Sequence, residues 1–273
     1  MIPEFKTRDE LFKWLRENKT LMITQKKAVT KFTDPLQMQF FEIGKASGLY
    51  IPKSQGDQNP DDLGSLLAKL AINTTNILDS HSDVHIPGLW NKSLKERKDI
   101  YLLKEHKLQF ENIIADDVKA SAMKMTWKEL GFKFDGETEV LIFDATIDKS
   151  RNEYMFDQYA KGRVKQHSVG MQYVKLFLCM NSESKWDQEE KANWDKYISQ
   201  VINKAVAEEQ GYFWAVTEAK VIEGSAVPLG SNYATPVISI EPVNSTQSTK
   251  GAEPVNEPLD FGKLALAIKS STN

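Results

Sequence analysis

The chain of 273 residues is 41% hydrophobic, 27% charged and 10% aromatic. This supports one sizeable core or two small ones and excludes a wholly disordered or collagen-like chain. A formal charge of −3, from 35 basic and 38 acidic residues, gives no excess of positive charge pointing to nucleic acid. The single cysteine, Cys179, excludes an internal disulfide and a cysteine-based zinc site.

The first residues, Met1-Ile2-Pro3-Glu4, lack the basic-then-apolar order of a signal peptide. The longest clean apolar run, Leu176 to Met180, falls far short of the roughly 20 residues that span a bilayer. A soluble intracellular protein is expected, with no membrane or nucleic-acid partner and no cofactor.

In chain order, Thr7-Arg8-Asp9-Glu10 has capping-box spacing and precedes Leu11, Trp14 and Leu15 at helical spacing. The first 66 residues therefore read as a separate, helical extension, with a loop over Ser54 to Asp62. Strands are expected over Ala68–Leu78, Ile100–His106, Val118–Met125, Glu139–Ile147, His167–Cys179 and Tyr212–Val227. Short helices are expected at Asn91–Arg97 and within Asn152–Lys165, where Phe156, Tyr159, Ala160 and Val164 share a face. Trp194, Tyr197, Ile198, Val201, Ile202 and Ala205 predict one amphipathic helix. Prolines are absent between Pro87 and Pro228 and cluster after that. Residues 67–236 then form the main domain, and 237–273 a flexible, disordered tail with a short apolar segment, Leu259 to Ile268. Strands interleaved with helices predict an α+β domain built on a sheet or barrel.

Five features carry candidate chemistry. Asp79, His81, Asp83 and His85 alternate, so on a strand they share one face with metal-ligand chemistry; the competing reading is a polar turn into Pro87-Gly88. His106 ends an apolar strand and is either a base or structural. Ser168 follows His167 directly, but adjacent strand residues point to opposite faces, so its base must come from elsewhere. Gly170 shares the Ser168 face and leaves room there for a substrate backbone. Glu223 lies in an otherwise apolar strand and needs a partner if buried, or water if the strand is an edge. Cys179, in Leu176-Phe177-Leu178-Cys179-Met180, reads as core.

Together these segments resemble the tailed-phage prohead maturation proteases. Asp79-Ser80-His81-Ser82-Asp83-Val84-His85-Ile86-Pro87-Gly88-Leu89-Trp90 is similar to that family's Asp-Val-x-x-Pro-Gly run, followed here by Ser93-Leu94. A strand ending in His106, a Ser-x-Gly strand at Ser168-Val169-Gly170 and a Glu-x-Ser strand at Glu223-Gly224-Ser225 follow in the family's order. The resemblance covers roughly residues 70–235.

It implies a β-barrel-like sheet with helical crossovers, distantly like herpesvirus capsid assembly proteases. It also implies a serine endopeptidase with Ser168 as nucleophile, His106 as base and Glu223 as its orienting carboxylate, with Asp79 to Gly88 a structural turn. The implied substrates are a scaffold protein, or the scaffolding segment of the major capsid protein, and the chain itself. The implied location is a procapsid in the host cytoplasm, with self-association possible. Two rival classes stand beside this reading: a metal-dependent hydrolase using His81, Asp83 and His85, and a non-enzymatic scaffold or assembly protein acting through its tail.

Overall fold

The computed structural model describes residues 3–28, 64–97 and 99–243. The expected loop at Ser54–Asp62 and the apolar segment Leu259–Ile268 lie outside them.

Helix α1 (Arg8–Ala28) begins with half of the expected capping box: Thr7 caps the Glu10 amide, but the Glu10 carboxylate reaches the amide of Lys6, one residue before Thr7. The Glu10 amide donates to Thr7 Oγ1 at 3.2 Å, and the Lys6 amide donates to Glu10 Oε2 at 3.1 Å. Asp9 and Glu10 in the first turn and Lys26 and Lys27 in the last suit the helix dipole. The helix is not a separate layer. Phe12 and Leu15 are buried in the main core, worth about 1.5–3 kcal/mol each. Arg16 donates to the buried Asp187 at 2.5 Å, and Lys19 to Glu190 at 2.6 Å.

Two sheets make up the α+β domain. In the first, β5 (Val118–Thr126), β6 (Glu137–Asp148), β1 (Ser65–Thr74) and β9 (Val237–Val243) pair antiparallel in that order. Strand β9 corrects the expectation that the tail begins at 237, because its backbone is held along β1. Within β9, Ile240 is buried.

The second sheet is organised around β8 (Tyr212–Val227). Strand β7 (Gln166–Met180) runs antiparallel along its whole length. On its other edge lie two short parallel strands, β2 (Asp83–His85) against Trp214–Val216 and β3 (Leu102–Lys104) against Gly224–Ala226. Strand β4 (Ile113–Ala115) pairs with β3. Among the described strands no ladder closes the two sheets into a barrel; they meet through side chains.

Gly224 marks that meeting. A methyl group there would lie 2.5 Å from the Phe143 ring and 3.1 Å from Ile72. The face of β8 carrying position 224 therefore packs on the first sheet. Because side chains alternate, Glu223 and Ser225 face the other way.

Short helices flank the two sheets. In α2 (Asn91–Glu96), the Ser93 hydroxyl accepts from the Val221 amide at 2.9 Å. Asn152 caps α3 (Glu153–Ala160), accepting from the Met155 amide at 3.1 Å. Phe156 and Tyr159 are buried as expected, whereas Val164 lies beyond the helix end.

The single helix expected through Trp194–Ala205 is broken into α4 (Gln188–Tyr197), a 3₁₀ turn at Ile198–Gln200 and α5 (Lys204–Gln210). Asn203 stands at the break. Its amide accepts from Leu78 N and donates to Leu78 O, both at 2.9 Å, as a neighbouring strand would. That bond pair anchors the connection between the two helices to Leu78. Trp194, Tyr197, Val201 and Ala207 still share one apolar cluster, which also contains Cys179. Burial pushes the Cys179 thiol well above its ordinary range and leaves it protonated.

Candidate functional site

Strand register assembles the site. Ser168 on β7 lies directly opposite Ser225 on β8, and Gly170 opposite Glu223. Directly opposed residues in an antiparallel pair share a face, so all four lie together on the face turned from the Phe143 side. Strand β8 is not an edge, and Glu223 is fully buried rather than solvated.

His106 reaches this face by an unusual backbone path. Strand β3 ends at Lys104, and Glu105 and His106 then adopt left-handed conformations, with φ of 54° and 58°. Two successive non-glycine residues in this region cost about 1–3 kcal/mol each and persist only where the surroundings hold them. Here the Glu105 amide donates to Ala226 O at 3.0 Å, the Lys107 amide to Lys104 O at 3.1 Å and the His106 amide to Ser225 Oγ at 3.0 Å.

The turn brings His106 Nδ1 to 2.6 Å from Glu223 Oε1. The pair is sheltered, with side-chain exposures of 6% and 0%. A carboxylate accepts, so Nδ1 carries the proton, and Nε2 is the ring nitrogen able to take another. His106 bonds Glu223, and both bond Ser225; Ser168 lies on the same face, opposite Ser225 in the strand register.

Gly170 has a different role from the one expected. Its missing side chain makes room for Glu223, not for a substrate: a methyl group there would lie 2.0 Å from Glu223 Oε1. His167 points the opposite way, as alternation requires. It is fully buried, with Nδ1 donating to Thr235 O at 3.1 Å and Nε2 accepting from the Tyr159 hydroxyl at 3.0 Å. Burial lowers its pKa to about 4, so it is neutral. Glu218 lies farther along β8, opposite Lys175, with Lys92 at 3.6 Å.

Ser225, not among the candidates expected from the sequence, joins the other two residues. Its hydroxyl donates to Glu223 Oε2 at 2.6 Å while accepting from the His106 amide. Its signal was the Glu-x-Ser spacing, which on a strand puts both side chains on one face.

The four alternating Asp and His residues do not share one strand face: Asp83 and His85 lie on β2 and both bond the Tyr173 hydroxyl, whereas Asp79 and His81 lie in the turn before it. Residues 79–82 form a turn in which Asp79 accepts from the His81 amide at 2.8 Å and the Asp83 amide at 2.9 Å, with Ser82 left-handed. Asp83 accepts from Lys26 at 2.5 Å and from the Tyr173 hydroxyl at 2.8 Å. His85 is bonded at both nitrogens, to Asn73 at 3.1 Å and to Tyr173 at 3.2 Å. Burial, then the Asp83 charge, pushes the Tyr173 hydroxyl well above its ordinary pKa, so it stays a donor. Among the described residues no group of three or more His, Cys, Asp or Glu side chains is placed to hold a metal ion. A small cleft borders Ser168 and Val169 on β7, with Ile72, Asn73, His81 and Ser231 around it.

No helix among the described residues is long and apolar enough to cross a membrane. No protein-family model matches this chain, and no curated protein or solved structure matches it either.

Proposed function

We propose that the chain is a serine endopeptidase of the prohead maturation type. The observation that carries this reading is the sheltered His106–Glu223 bond, built on the same sheet face as Ser168 from three separate segments. In this reading Ser168 Oγ attacks the scissile carbonyl and His106 Nε2 takes its proton. The imidazolium then protonates the leaving amine as the C–N bond breaks, and water hydrolyses the acyl-enzyme by the same base. Glu223 holds the tautomer and offsets the charge on the ring. The mechanism calls on no cofactor.

The substrate in this reading is a scaffold protein, or the scaffolding segment of the major capsid protein, inside a procapsid in the host cytoplasm, and the chain also cuts itself. A barrel-like architecture related to herpesvirus capsid assembly proteases belongs to the same proposal.

The test is co-expression of the chain, or its Ser168→Ala form, with the neighbouring capsid protein, followed by mass measurement. Cleavage by the first and not the second is expected. Ser168→Ala and His106→Ala should each lose nearly all activity, and the double variant should be little worse, because such residues act as a unit. Cleavage that survives in Ser168→Ala but is lost on removing a stoichiometric metal would instead favour the metal-dependent class. An intact capsid protein together with no labelling of Ser168 by a serine-directed probe would favour a scaffold.

A further inference from the structure

We propose that Ser225 is a positioning residue for the proposed base: one hydroxyl that fixes both the carboxylate and the backbone of the histidine. This rests on the reading of Ser168, His106 and Glu223 given above.

Glu223 is held at both of its oxygens. Oε1 accepts from His106 Nδ1 and Oε2 from Ser225 Oγ, both at 2.6 Å. A buried carboxylate with only one oxygen engaged can turn about its terminal torsion, which is broad and roughly two-fold. With both engaged on different sides, its plane is set. Ser225 also accepts the His106 amide at 3.0 Å, within the left-handed pair of residues that needs external support. The serine thus bonds the acid with its proton and the base's main chain with a lone pair. A hydroxyl is the smallest group that can do both.

Ser225 is itself fully buried, whereas Ser168 retains 8% of its surface and borders the cleft. In that reading the two opposed serines divide the work: Ser168 is the nucleophile, and Ser225 acts only through Glu223 and His106.

Three variants test this in the full chain: Ser225→Ala, Ser225→Thr and Glu223→Gln. The first readout needs no substrate. It is the low-field proton NMR signal of His106 Nδ1–H, identified by its absence in His106→Gln. The signal should persist in Ser225→Thr, which keeps the hydroxyl, and be lost or exchange-broadened in Ser225→Ala and Glu223→Gln.

The second readout is steady-state cleavage. Ser225→Ala should lower kcat about 10- to 100-fold, the scale of one bond to a charged group, with KM within about two-fold. Ser225→Thr should recover most of the loss, and Ser225→Ala should still label Ser168 with a serine-directed probe. An unchanged signal and unchanged kcat in folded Ser225→Ala would overturn the proposal. If Ser225→Ala does not fold, the threonine form together with Ser225→Cys decides. Loss of signal and of kcat in the cysteine form but not the threonine form supports the proposal, and equal behaviour of the two overturns it. A signal that follows these expectations in a chain that cleaves nothing would overturn the peptidase reading while leaving Ser225's positioning of the pair intact.

Discussion

At Gly170 one added methyl group would land 2.0 Å from the carboxylate that holds His106. Neither strand backbone can yield without breaking the β7–β8 ladder, so Glu223 must move. Gly170→Ala is expected to cost about 1–3 kcal/mol through overpacking and to lower cleavage more steeply than its stability loss explains. Thermal melts and rates measured on the same preparation check this. His167, next to Ser168, does the opposite kind of work. Its pKa falls from 6.5 to about 4 on folding because burial disfavours the charged ring. Between those values the unfolded chain binds the extra proton and the folded chain does not. Stability is therefore fully present above pH 6.5 and is lost as pH falls toward 4, at about 1.4 kcal/mol per unit. Unfolding free energies from denaturant titrations at pH 7 and pH 5 should differ by about 2 kcal/mol from this group, and His167→Gln should flatten the pH dependence.

At the scale of elements, α1 and β9 are the pieces whose roles changed most. The helix joins the core through Phe12 and Leu15 and reaches the Asp79–His85 segment through Lys26, which bonds Asp83 and the carbonyl of His81. Leu15→Ala is expected to destabilise the whole domain by about 2–5 kcal/mol, read as a single shifted melting transition. An independent extension would instead leave the main transition in place. The cap at Thr7 was readable because it is local; the destination of the helix was not, because an apolar stripe states that it must be buried and not against what. Strand β9 was misread because Ser239, Glu241 and Pro242 give it a tail-like composition. Val237, Ile238, Ile240 and Val243 are the β-branched residues that hold it on β1, in a stretch whose prolines otherwise mark an end of the domain.

For the molecule as a whole, self-cleavage under the proposed function is expected in the polar, Pro-interrupted stretch between Val237 and Pro258, and β9 limits where in it the cut can fall. A strand paired along β1 through Val243 cannot enter a cleft as an extended substrate. The expected cut therefore falls between residues 244 and 258, outside the described residues, and not within 237–243. Active protein should accumulate a form whose new C-terminus maps to that window by intact mass, while Ser168→Ala protein from the same host stays full length. Equal trimming of both would assign the cut to host proteases. Ends within 237–243 would mean that β9 detaches from β1 before cleavage.

The sequence alone settled what depends on neighbours along the chain. The period of two made β7 and β8 strands and turned Ser168 away from His167; the period of 3.6 and the cap at Thr7 made α1. It left open whether Glu223 was solvated or buried, and whether Asp83 and His85 faced a metal or their own core. Those questions turn on which distant strands pair. Only the tertiary structure brought His106 onto Glu223, 117 positions away, by laying β3 parallel to β8 and bending the next two residues into left-handed turns. Only it showed that Gly170 is empty to admit a carboxylate, that Gly224 is empty to admit Phe143, and that Ser225 joins acid to base. The physical reason is the same in each case. Side-chain direction along one strand follows from local geometry, whereas register between strands is fixed by the packing of the whole domain, which no short stretch of sequence contains.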